Sequence, residues 1–108
     1  MATTYKILGQ AAPATSSDVI TVAASHSMVV SSLVIANVTT AASTFRVHAR
    51  IAGATTAVGN ALIYDASVPG NSTTTLTIGI TLAATDVLTV VAGTSGALTV
   101  TAFGSDIV

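Results

Sequence analysis

Few side chains in this 108-residue chain could do chemistry. The charged ones are Lys6, Arg46, Arg50, Asp18, Asp65, Asp86 and Asp106, joined by two histidines, His26 and His48; there is no Cys, Glu or Trp. Arg46, His48 and Arg50 alternate, so on a strand they project from one face. Such a stripe could clamp an anion. It could equally be the wet or partner-facing side of a sheet, with the aspartates as counter-charges. Ser25-His26-Ser27 carries two hydroxyls beside an imidazole, but neighbouring strand residues point to opposite faces and build no nucleophile–base pair. We read it as a polar turn. The aspartates fall at expected strand ends or turns, where carboxylates satisfy free backbone N–H groups. No spacing pairs them as acid and base, and two histidines with scattered aspartates match no metal-ligand pattern. No catalytic residue, cofactor or metal ligand is expected. Asn37-Val38-Thr39 and Asn71-Ser72-Thr73 match the glycosylation sequon, but such matches arise by chance in a chain with 19 Thr and 11 Ser. The short Thr rows at 73–77 and 99–101 are too irregular to match an ice lattice.

The elements that would carry these residues read as strands. Val, Ile and Thr are abundant, and β-branched side chains suit a pleated surface. From Thr44 to Ile51 the chain alternates, with Phe45, Val47, Ala49 and Ile51 on one face and Thr44, Arg46, His48 and Arg50 on the other. From Ser72 to Ile80, Thr74, Leu76, Ile78 and Ile80 oppose Thr73, Thr75, Thr77 and Gly79. Met28–Val38 is almost continuously apolar, as in a strand covered on both sides or one leaving the core for a partner. Thr3–Gln10, Asp18–Ala23, Ala61–Ala66, Asp86–Ala92 and Leu98–Gly104 complete about eight short strands. Pro69-Gly70 fits the centre of a type II turn, with Gly70 at positive φ. No helical periodicity separates the strands, so an antiparallel sandwich or barrel follows. The length supports one domain over residues 1–108, with 1–12 as an N-terminal arm or edge strand. Around Phe45, Val47, Leu76, Ile78 and Val87 we expect the core.

Composition limits the partners. Three basic residues and a net charge of −1 exclude a nucleic-acid surface and argue against anionic membranes. Apolar stretches are broken well short of a membrane span, and the start has no apolar run of signal-peptide type. Charged residues make up 6% of the chain, against about 25% in ordinary domains. A small Ala/Val/Thr-rich core is marginal alone. Both features suit a subunit whose surface is covered by other protein.

Several segments, taken in order, carry a resemblance. They are Thr4-Tyr5-Lys6-Ile7-Leu8-Gly9-Gln10 with Ala12-Pro13-Ala14, then Thr44-Phe45-Arg46-Val47 and Leu62-Ile63-Tyr64-Asp65. The run Ile78-Gly79-Ile80-Thr81-Leu82-Ala83-Ala84-Thr85-Asp86-Val87-Leu88-Thr89-Val90 and the closing Phe103-Gly104-Ser105 follow. Together they span nearly the whole chain, which resembles small β-sandwich virion proteins of tailed phages, especially cyanophages. Some of these are capsid cement (decoration) proteins; related domains occur in tails and fibres. The resemblance implies a jelly-roll-like sandwich on the capsid exterior, made in the host cytoplasm. It also implies a homotrimer that clips neighbouring subunits of the major capsid protein, and it brings no catalytic residues. On this reading Tyr5, Lys6 and Ile7 of the N-terminal segment and the Arg46, His48 and Arg50 face are the candidate contacts. The alternatives are a tail, fibre or baseplate module, or a ligand-binding or adhesin sandwich. The scarcity of aromatic residues weighs against a sugar platform.

Overall fold

A computed structural model describes residues 2–108. Among them run nine strands: β1 (Thr3–Ala11), β2 (Ser16–Thr21), β3 (Ser27–Asn37), β4 (Ser43–Arg50), β5 (Ala61–Val68), β6 (Thr73–Leu76), β7 (Ile80–Leu82), β8 (Val87–Ala92) and β9 (Leu98–Ile107). Two short 3₁₀ turns, Ile51–Gly53 and Val58–Asn60, lie between β4 and β5. The strands form two antiparallel sheets. Sheet A runs β1-β9-β3-β6, with β7 also on β3; sheet B runs β2-β8-β4-β5. Since β6 and β7 both pair with β3, they act as one interrupted strand. The pattern is then two four-stranded sheets in which successive strands change sheet except at the β4–β5 hairpin, the order of a jelly roll.

The core lies between the sheets. Leu33, Ile35, Val30, Leu98 and Val100 from sheet A meet Phe45, Val47, Leu88 and Val90 from sheet B, all at most 1% exposed. Each such side chain contributes roughly 1.5–3 kcal/mol when fully buried. The run Met28–Val38 was expected to be covered on both sides; β3 is instead central in sheet A, between β9 and β6/β7, and packs on the core with one face only. Its inward side chains are Met28, Val30, Leu33 and Ile35, and the others are half-buried or polar.

One of the five core assignments changes. Ile78 is 37% exposed, because the strand expected over Ser72–Ile80 breaks at Thr77–Gly79. Leu33 pairs with Leu76 and Val30 with Ile80, which leaves one residue more on the β6/β7 side than on β3. That bulge turns Ile78 out. Val87 is buried as expected, at the margin of the main cluster, where it pairs with Arg50 and lies under the Gly53 turn. Ile51 is 78% exposed because the chain leaves β4 into the 3₁₀ turn there. Phe45 and Val47 sit in the core as expected, and Leu76 packs half-buried against it.

The turn after β5 also differs. Gly70 is not at positive φ; Asn71 is, at 53°. What requires glycine at position 70 is closeness, since a Cβ there would run into the Thr40 carbonyl. Finally, β1 is no free arm. Its residues pair with β9 from Thr3–Ile107 to Ala11–Val100, and Ala2 and Val108 exchange backbone hydrogen bonds beyond them.

Candidate functional site

The basic stripe does share one face, the outer face of sheet B, but its groups are turned to internal use. Opposite Arg46, β5 bulges between Ile63 and Ala66, with Asp65 at φ 55°. The bulge supplies two residues to one arginine. Arg46 Nε donates to Asp65 Oδ1 at 2.7 Å and Nη2 to Oδ2 at 3.2 Å, while the guanidinium lies 3.9 Å from the centre of the Tyr64 ring. The bidentate bond raises the Arg46 pKa and holds the Asp65 carboxyl below its ordinary range; partial burial opposes both shifts.

His48 is 3% exposed, although it was expected on a wet or partner-facing side. The segment between the 3₁₀ turns folds over it: Thr56, Ala57 and Val58 line a shallow notch with His48, Arg46 and Tyr64. His48 Nδ1 donates to Asn60 Oδ1 at 2.8 Å, and that oxygen also accepts from the Ala57 N–H. Asn60 Nδ2 reaches the Thr55 carbonyl at 3.0 Å. Arg50 ties down the other half of the loop, donating to the carbonyls of Ala54 and Gly53, to Asp18 at 3.1 Å and to Thr89. All three basic side chains are thus partnered within the chain. An anion clamp would need at least one of them free.

The N-terminal candidates separate by parity. Lys6 lies on the side of β1 opposite Tyr5 and Ile7, half-exposed at the sandwich margin, its Nζ 3.2 Å from Asp106, which His26 Nδ1 also approaches at 2.9 Å. Hydrogen bonding from His26, then from Lys6, draws the Asp106 carboxyl below its ordinary range, against the effect of burial. The Ser25-His26-Ser27 turn therefore does serve an ion cluster, through a residue 80 positions away. Asp86 is a turn residue as read, accepting from the N–H groups of Ala83 and Ala52. Asp18, Asp65 and Asp106 instead sit within strands and make ion pairs. The Asn37 side chain is buried, with its amide nitrogen on the carbonyls of Ala41 and Val68. Among the described residues no group of three or more metal-ligating side chains exists, and no helix is long and apolar enough to cross a membrane.

Tyr5 and Ile7 point the other way, onto the outer face of sheet A, 83% and 51% exposed. The register places Thr101, Phe103, Ser105 and Ile107 of β9 beside them, then Val29, Ser32, Val34 and Ala36 of β3, then Thr73, Thr75 and Thr81. No Asp, Lys, Arg or His stands among these residues. Three irregularities cross this face at one level: the bulge at Ile7–Gly9, the shift at Val30–Ser32, and the break at Thr77–Gly79. Phe103 sits at that level between β1 and β3 and remains 37% exposed. Reasoning from single segments missed this face, because it exists only once β1, β9 and β3 are side by side. No protein-family model matches the chain, and neither a curated protein nor a solved structure matches it.

Proposed function

We propose that the chain is a structural virion subunit of the capsid-cement type. It binds the outer surface of an icosahedral shell, contacts the major capsid protein and clips neighbouring capsid subunits against internal pressure. It does so by burying area, as part of a homo-oligomer, without catalysis. The observation that carries this reading is the contrast between the two sides of the sandwich. Sheet B engages its charged groups with its own strands and the 51–60 loop, while the outer face of sheet A holds hydroxyls, aliphatics and aromatics and no charge. Exposed apolar area of that kind is usual where protein meets protein. The ordered resemblance to small phage virion proteins supplies the particular setting.

The test uses empty shells assembled from the major capsid protein of the same genome. Purified chain is added over a concentration series and sedimented with them. Saturable binding at a fixed ratio to capsid subunits is expected. Recovery of all the protein in the supernatant at every concentration contradicts the reading. Binding to purified tails instead would move the protein to a tail or baseplate role.

A further inference from the structure

We infer that the outer face of sheet A is the surface through which two copies of this chain join, stacking sheet A on sheet A. The inference rests on the assembly reading above and names its nearest partner.

Three observations select a second copy. The first is charge. No ionised group lies on the face, so a partner presenting charges there would lose their hydration and find no counter-ion. A second copy presents the same neutral surface. The second is size. β9 has 10 residues, so at about 3.3 Å per residue and about 4.8 Å between strands the face measures on the order of 600 Å². An ordinary stable interface covers about 800 Å² per partner, which the face with its rim approaches. The third is the pattern of apolar groups. Tyr5, Ile7 and Phe103 cluster at the bulge line, while Thr73, Thr75, Thr99 and Thr101 occupy the other end. An aromatic and aliphatic anchor beside a hydroxyl rim has the make-up of a contact patch. The opposite side of the sandwich also exposes Leu62, Tyr64 and Val58, but there the Arg46–Asp65 pair and the Arg50, His48 and Asn60 anchors of the 51–60 loop stand among them, so that side is neither neutral nor an open sheet.

The experiment measures mass by sedimentation equilibrium for the full chain and for Phe103→Asp, Thr101→Lys and, on the opposite side, Val58→Asp. Each of the first two substitutions buries a charge in the contact with no counter-ion on either copy, so self-association should weaken about a hundredfold or more. Val58→Asp should associate like the parent. Circular dichroism checks folding. Should Phe103→Asp fail to fold, Thr101→Lys decides, because its side chain is at the surface. A monomeric parent at about 100 μM overturns the inference, and so does unchanged association in a folded Thr101→Lys variant. Loss of shell binding in Phe103→Asp with its oligomer intact also overturns it, by giving the face to the capsid. A parent that dimerises through this face but ignores shells leaves the inference standing and removes the cement reading alone.

Discussion

Asp106 lies beside the Lys6 ammonium and the His26 imidazole, with only 9% of its own side chain exposed. A carboxyl that is more acidic folded than unfolded stabilises the fold above its unfolded pKa, near 3.9, and that contribution disappears as pH falls through the folded value. Thermal unfolding followed from pH 7 to pH 2.5 should therefore fall steeply below about pH 4. Asp106→Asn should lower the melting temperature at pH 7 and flatten the acid limb; an unaltered acid limb would remove Asp106 from the explanation. His48 and Asn60 allow a second test. Asn60→Ala strands a buried imidazole N–H, which costs about 1–3 kcal/mol. It should also speed amide exchange at Ala57, whose N–H loses its acceptor. Loss of stability with Ala57 exchange unchanged would argue against the anchoring role. Neither cluster was legible in the sequence, since His26 and Asp106 are 80 positions apart and the aspartates looked like turn residues.

Strands were legible because a half-buried strand must alternate. The eight segments read from the alternation and apolar runs match β1 to β5, the β6/β7 pair, β8 and β9. What alternation cannot register is a single extra residue. The bulges at Ile7–Gly9 and Asp18–Ile20 and the break after Leu76 each shift the pattern by one, and that displaced Ile78 from its expected place. Glycine within a strand is the available clue, as a mark of a bulge or close approach, and Gly9, Gly79 and Gly104 all lie along the irregular line of sheet A. A Cβ on Gly104 would collide with the Val29 carbonyl of the neighbouring strand. Gly104→Ala should thus destabilise by about 1–3 kcal/mol in denaturant titration. Phe45→Ala, which empties the largest fully buried site, should cost about 3–5 kcal/mol. Equal effects from the two would contradict the view that Gly104 answers to backbone clearance alone.

The molecule as a whole has a radius of gyration of 13.4 Å, against about 13 Å expected for its length. Its single core cluster draws on both sheets, and its large side chains are few. The class of the fold followed from composition, because β-branched residues without helical periodicity leave little else. The distribution of charge over the surface did not, since it depends on which strands become neighbours. That distribution predicts an unusual salt response. Charge screening should leave self-association through sheet A nearly constant between low and moderate salt. A steep fall in association with added salt would place charged groups at the contact and point to sheet B. The cement role is tested most directly by the rupture temperature of DNA-filled shells stripped of the protein and then supplied with it. The expected result is a rise that saturates with occupancy. Rupture at one temperature, bare or fully dressed, would contradict it.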